Sequence, residues 1–267
     1  MHYRSNVKLR EFRPGRDLLY GLYQRRIRRW LVGKDLPHHV AMIVDGNRRW
    51  AKQHAQASAA FGHRAGAAKI HEFLTWCDEL GIAVVTLYLL SADNMSSRRT
   101  AELAELHEII AELADDLSRQ GRWRVQHVGR VENLPEPLVT ALGDAERRTI
   151  NNSGLHVNLA VGYGGRREIA DAMRSILRSH GKEGGTLEEL ADLLTPDLIA
   201  DHLYTGGQPD PDLIIRTSGE QRISDFMLWQ SAHSEFYFVE ALYPDLREVD
   251  FLRAVRDFAQ RHRRFGS

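Results

Sequence analysis

Short apolar, β-branched runs alternate along the chain with longer stretches in which apolar residues return every three or four positions. The runs fall at residues 39–44, 83–89, 124–128, 155–161, 213–216 and 236–239. Each has the length and composition of a strand buried on both faces. Between them, Leu103, Leu106, Ile109, Ile110, Leu113 and Leu117 make one helical stripe with acidic residues opposite, the pattern of a helix that buries a single face. Ala170, Met173, Ile176 and Leu177 make a second stripe, and Phe251, Leu252, Val255 and Phe258 a third. Residues 226–234 are expected to be helical as well. The alternation predicts an α/β fold: a single domain with a mainly parallel central sheet of about six strands, flanked by helices. There is no internal repeat, and the glycine- and charge-rich joint at residues 179–186 is short for a domain boundary. In such sheets ligands collect at the carboxyl ends of the strands, so the residues directly after the runs are where chemistry is expected.

Ahead of the first run, residues 1–35 read as a basic amphipathic extension and residues 36–267 as the main domain. The extension carries Arg10, Arg13, Arg16, Arg25, Arg26, Arg28 and Arg29, with Leu18, Leu19, Leu22, Tyr23, Ile27, Trp30 and Leu31 at helical spacing. Two readings follow. The plainer one is a helix docked on its own domain with a solvated basic face; the other is peripheral contact with an anionic membrane at its inner face. No apolar run approaches the roughly 18–20 residues that span a bilayer. Lys and Arg total 36 and Asp and Glu 36, a balance that gives no reason to expect nucleic acid as a partner. The lone Cys77 can form no internal disulfide and has no cysteine partner for zinc, which fits a reducing cytoplasm.

Four segments carry candidate chemistry. Asp45-Gly46-Asn47-Arg48-Arg49-Trp50 follows the first run directly. Glycine allows close backbone approach to a ligand, arginine binds phosphate bidentately, and a carboxylate beside a diphosphate is explained by a bridging Mg²⁺. An Asp-Gly turn with surface arginines is the competing account. Ser91-Ala92-Asp93-Asn94 follows the second run and, taken alone, reads as a turn or helix cap. Gly162-Tyr163-Gly164-Gly165-Arg166-Arg167-Glu168 resembles a dinucleotide loop, but Arg167 stands where the third glycine belongs, so a tight strand-to-helix turn is favoured. In the stretch from Ile215 to Ser224, Arg216, Arg222 and Ser224 gather donors suited to a second anion, and Glu235 opens a strongly apolar run where an acid needs a partner or a metal. His63, in Phe61-Gly62-His63-Arg64, is the histidine singled out.

Taken in order, HVAMIVDGNRRWA, FGHRAG, TLYLLSADN, NLAVGYGGRREI, DLIIRTSGEQRISDFMLWQ and the terminal RRFG resemble the cis-prenyltransferase (undecaprenyl diphosphate synthase) family. The likeness runs from about His38 to Gly266 and is strongest to actinobacterial short-chain members that make Z,E-farnesyl diphosphate. It implies a cytoplasmic homodimer with an apolar substrate tunnel, a catalytic domain over residues 36–267, and condensation of isopentenyl diphosphate with an allylic diphosphate. It further implies that Asp45 is the essential aspartate and holds Mg²⁺ with Glu235. Gly46, Asn47, Arg48, Arg49 and His63 would bind the allylic diphosphate, with Trp50 supporting that pocket. Arg216, Arg222 and Ser224 would bind isopentenyl diphosphate. Asn94, with Ser91 close by, stands where proton removal is assisted. Arg264 and Gly266 match a C-terminal motif that reaches the partner subunit's site.

The sequence departs from the family pattern at Ala59, in place of an arginine that binds the allylic diphosphate, at Met95 for tryptophan, and at Ser97 for arginine, with Arg98 adjacent as a substitute. Leu89 and Leu90 stand where long-chain members carry alanine and phenylalanine, which favours a short product such as C15 from geranyl diphosphate, because filled apolar space resists added methylenes. Ordinary strand core is the other account of Leu89. A long-chain synthase for cell-wall carrier lipid is the rival enzyme. A non-catalytic partner subunit, and then a dinucleotide-dependent oxidoreductase, follow behind it.

Overall fold

Val, Ile, Leu and aromatic residues make up most of the six runs, and such residues pack well on a pleated sheet. In the computed structural model, which describes residues 14–55, 58–97 and 100–261, all six runs are strands. They are β1 (His39–Ile43), β2 (Val84–Ser91), β3 (Arg124–Val128), β4 (His156–Tyr163), β5 (Leu213–Arg216) and β6 (Glu235–Phe238). They form one sheet in the order β3-β4-β2-β1-β5-β6, parallel at every pairing. Parallel neighbours need a crossover between them, and the helical stretches supply it. The helices are α1 (Pro14–Leu31), α2 (Asn47–Gln53), α3 (Ala59–Glu79), α4 (Ala92–Ser97), α5 (Thr100–Arg119), α6 (Glu136–Thr149), α7 (Gly165–Lys182), α8 (Leu187–Leu193), α9 (Pro196–Asp201) and α10 (Glu248–Gln260).

The larger core joins Met42, Leu87 and Val157 of the sheet to Phe73, Leu113 and Phe251 of the helices. A smaller one gathers Ile43, Tyr88, Tyr163 and Phe226. One chain of buried polar residues crosses the sheet with its hydrogen bonds satisfied. His39, fully buried, donates through Nδ1 to the Pro209 carbonyl at 2.7 Å and accepts at Nε2 from the Thr86 hydroxyl at 2.8 Å. Asn158 Nδ2 donates to that hydroxyl at 3.0 Å.

Helix α1 docks on the body of the protein. Ile27 and Leu31 are buried, and Arg28 reaches Glu248 at 2.6 Å and Glu79 at 2.7 Å. Among the described residues no helix is long and apolar enough to cross a membrane. One expected element is absent. Residues 226–234 are turns ending in a short 3-10 helix, Gln230–His233, because Met227 adopts a left-handed backbone (φ 47°) that no α-helix accommodates.

Candidate active site

β1 turns to β2 on one side, and the chain later returns to lay β5 on the other. Where strand order reverses like this, the loops part and leave a crevice at the carboxyl ends. Asp45 follows β1 and Thr217 follows β5, so the two meet there. The Asp45 N–H donates to Thr217 Oγ1 at 3.0 Å, and that hydroxyl donates back to the Asp45 carbonyl at 2.7 Å. With its backbone pinned, the Asp45 carboxylate accepts from Arg216 Nη2 at 2.7 Å and lies 3.5 Å from Arg49 Nη2. Burial pushes the Asp45 carboxyl up, but the hydrogen bond and charge of Arg216, helped by Ser218 and Arg49, hold it below the usual carboxylate range. It is an anion at neutral pH.

Arg216 is buried, and a buried guanidinium demands partners. Its Nη1 donates to Ser224 Oγ at 2.8 Å and also to the Arg222 carbonyl. Arg49 donates to Ser218 Oγ at 2.5 Å. Ser218, Ser224, Asp225 and Met227 all have positive φ. A left-handed conformation costs a non-glycine residue about 1–2 kcal/mol, so contacts elsewhere hold this loop in shape.

Gly46, at φ 107°, carries the chain from Asp45 into α2. A Cβ there would lie 3.1 Å from the Leu242 backbone and 2.9 Å from its side chain, which restricts the position to glycine. Behind α2, the buried Trp50 stacks on Phe61 with centroids 5.5 Å apart. His63 is buried beside Glu102, 3.7 Å away, and Arg48 Nε lies 3.2 Å from the same oxygen.

Asp45, Gly46, Arg48, Arg49 and His63 line a cavity of about 370 Å³. Its polar part holds Asp45, Gly46, Asn47, Arg48, Arg49 and His63; its apolar wall is Ile70, Leu89, Leu106, Ile109, Ile110 and Leu113. Leu89 therefore faces the pocket. Leu90 does not: it is 1% exposed and belongs to the main core, because neighbouring residues of a strand project to different sides and β2 shifts register here.

Other expectations fare differently. Ser91 Oγ accepts the Asn94 N–H at 3.0 Å, the cap the sequence offered. Arg222 is largely exposed and pairs with Glu220. Ala59 opens α3 beside the Ser58 cap. Arg98, Arg264 and Gly266 lie outside the described residues. Asp45 and Glu235 do not converge within one chain. Glu235 is level with Leu213, which is level with Val40. Asp45 lies five residues beyond Val40 and two strands over, which places the two carboxylates roughly 15–20 Å apart at opposite ends of the sheet. Glu235 instead pairs with Arg261 at 3.1 Å. Among the described residues no three His, Cys, Asp or Glu side chains form an ion cage.

Sequence reasoning passed over Thr217 and Ser218, although both sit inside the motif, and over Glu102 and the pocket-facing part of α5. The acidic residues opposite that stripe drew attention away from Glu102, which is buried.

A paired carboxylate and guanidiniums over a pocket that is polar at one end and apolar along its wall suit an enzyme that handles an anionic group on a hydrocarbon chain. The chain belongs to the cis-prenyltransferase family: the family model described as putative undecaprenyl diphosphate synthase matches residues 43–266. It is 56% identical over 248 residues to a (2Z,6E)-farnesyl diphosphate synthase of Thermobifida fusca, covering 93% of this chain and 97% of that one. To a short-chain Z-isoprenyl diphosphate synthase of Mycobacterium bovis it is 49% identical over 254 residues, covering 94% and 97%. The crystal structure of lavandulyl diphosphate synthase from Lavandula x intermedia, in complex with dimethylallyl diphosphate, superposes with a TM-score of 0.79 at 34% identity, covering 85% of this chain and 97% of that one.

Proposed function

We propose that the chain joins isopentenyl diphosphate to an allylic diphosphate and stops at a short Z product, C15 from geranyl diphosphate. The observation that carries this reading is the Asp45–Arg49–Arg216 ion cluster opening on a pocket with an apolar wall. Arg49, His63 and the main chain of residues 46–49 face the allylic diphosphate; Arg216, Arg222 and Ser224 face isopentenyl diphosphate. As the allylic C–O bond breaks, the departing diphosphate gains charge, and donors already fixed around it stabilise that charge without reorganising. The isopentenyl double bond supplies the electron pair for the new C–C bond, and the resulting cation gives up a proton to the released diphosphate, with Asn94 and Ser91 at the end of the neighbouring strand assisting.

The pocket favours a short chain. Its apolar wall is built of bulky side chains, Ile70, Leu89, Leu106, Ile109, Ile110 and Leu113, and space filled in this way resists added methylenes. The short-chain names of relatives about half identical to this chain support the same reading.

Magnesium fits the donor set. The ion takes one or two carboxylates and completes its shell with substrate phosphate oxygens and water, and Asp45 is an ionised carboxylate on the pocket wall. Bound there, Mg²⁺ would neutralise diphosphate charge. The second carboxylate is accounted for by a homodimer. β6 is a sheet edge whose Phe236 and Phe238 are only half-buried, and an unpaired edge invites pairing. Two β6 strands meeting antiparallel about a two-fold axis would bring Glu235 of the partner subunit to the carboxyl end of this sheet. Helix α1 leaves Leu22, Arg25, Arg26, Arg29 and Trp30 exposed, followed by Val32, a face suited to anionic lipid.

The test is a product assay with labelled isopentenyl diphosphate and dimethylallyl, geranyl or farnesyl diphosphate in turn. Geranyl diphosphate is expected to give C15 alone. A ladder of long products would remove the chain-length reading; no condensation with any starter would remove the reaction.

A further inference from the structure

Helix α7 begins without a cap of its own: its N-cap is Gly164, which has no side chain to offer. The first N–H groups of a helix need acceptors, and here one distant residue supplies both. The Asp225 carbonyl accepts from the Gly165 N–H at 2.7 Å, and the Asp225 carboxylate accepts from the Arg166 N–H at 3.1 Å. A carboxylate is also favoured at this end of a helix by the aligned peptide dipoles.

The paired glycines make room for it. A Cβ on Gly164 would lie 2.8 Å from Asp225 Oδ2, and one on Gly165 would lie 3.0 Å from the Asp225 carbonyl oxygen and 2.8 Å from Leu228 Cγ. Thus the glycine loop that superficially suits a dinucleotide phosphate already holds an anion, and that anion is part of the protein.

Asp225 sits next to Ser224, whose hydroxyl receives Arg216. Both residues are left-handed, at φ 63° and 50°. Beneath them the Tyr88 hydroxyl donates to the Ser224 carbonyl at 3.3 Å, and Phe226 stacks on the Tyr88 ring with centroids 4.5 Å apart. Left-handed backbone persists only where its surroundings dictate it, and the Asp225 clamp is the polar tether on the α7 side.

We propose that Asp225 is a positioning residue that fastens the isopentenyl diphosphate loop to the N-terminus of α7, with Gly164 and Gly165 as its seat. It acts on substrate through Ser224, Arg216 and Arg222. The proposal rests on the assignment of that loop to isopentenyl diphosphate.

The experiment compares Asp225→Ala, Asp225→Asn, Gly164→Ala and Arg222→Ala by steady-state kinetics with each substrate varied separately, alongside thermal unfolding. Asp225→Ala and Gly164→Ala are expected to raise KM for isopentenyl diphosphate by roughly tenfold or more, since misplacing donors by about an ångström is costly. KM for geranyl diphosphate should stay within about twofold, the reacting ends being held by separate groups. Asp225→Asn keeps an acceptor for the Arg166 N–H and should recover most of the loss. Equal shifts in both KM values, or no rescue by asparagine, would overturn the clamp. If Arg222→Ala raises the isopentenyl KM while Asp225→Ala does not, the clamp alone falls. If Arg222→Ala leaves it unchanged, the assignment of the loop falls too.

Discussion

Leu89 is where pocket volume and product length can be set against each other. It shares the apolar wall with Leu106, Ile109, Ile110 and Leu113, and Leu89→Ala removes three carbons from that wall. At about 30 Å³ for each small group, this frees about 90 Å³. One further isoprene unit brings five carbons, so the single substitution opens about three-fifths of the room that unit needs. The expected product from geranyl diphosphate is C15 with a C20 fraction beside it. Leu89→Ala combined with Leu106→Ala removes six carbons and should make C20 the main product. Leu89 is only partly buried, so its truncation should cost about 2 kcal/mol, the low end for core leucines. The assay is labelled isopentenyl diphosphate with geranyl diphosphate, dephosphorylation and reversed-phase chromatography, with unfolding curves taken in parallel. Two folded variants that both yield C15 alone would refute the view that this wall limits the chain.

Asp45→Ala and Glu235→Ala should each fold and each lose turnover. If the two carboxylates meet across a two-fold interface, mixing and re-equilibrating the two inactive variants should restore about a quarter of wild-type activity, since half the dimers are mixed and each has one intact site; no recovery would refute sharing. Burial pushes the His39 imidazole down to about 4, and His156 likewise, whereas unfolded histidine titrates near 6.5. Between those values the unfolded chain binds more protons, so stability should fall as pH drops, by about 1.4 kcal/mol per pH unit for the fully buried His39 and by less for the partly exposed, solvent-screened His156. Asp45 adds its own loss only below about pH 4. Denaturant unfolding at pH 7, 6 and 5 checks this, and a flat profile would contradict it. Sedimentation with vesicles containing phosphatidylserine should retain the protein, and Arg25→Glu with Arg29→Glu should release it; equal binding to neutral vesicles would exclude the electrostatic part.

Strands β1, β2, β4 and β5 were legible because burial on both faces leaves a continuous apolar signature, and the partly buried edge strands β3 and β6 because of their β-branched and aromatic residues. Asp45, just after β1, and Arg216, the last residue of β5, were legible because side chains at the carboxyl ends of parallel strands gather at one crevice. Glu235 opens its strand, so in a parallel sheet it lies at the amino end, away from the Asp45 of its own chain. Leu90 misled because alternation and the irregularity in β2 separate it from its neighbour. The turns at residues 226–234 carry ordinary helix formers, and their shape comes from tertiary contacts such as Met227 N–H to Tyr163 Oη at 3.1 Å. The Asp225 tether spans 59 residues to Arg166, a distance no local pattern reports.

Asp45 and Arg216 are 171 residues apart in the chain and touch only because β5 lies beside β1. Contacts this remote in sequence are entropically slow to form. During synthesis the segment bearing Asp45 emerges long before its counter-ion, and the whole stretch between them must exist before the pair can close. An incomplete chain would thus carry an unneutralised acid where substrates of the same sign must dock, so competence arrives with the last strands rather than growing by degrees.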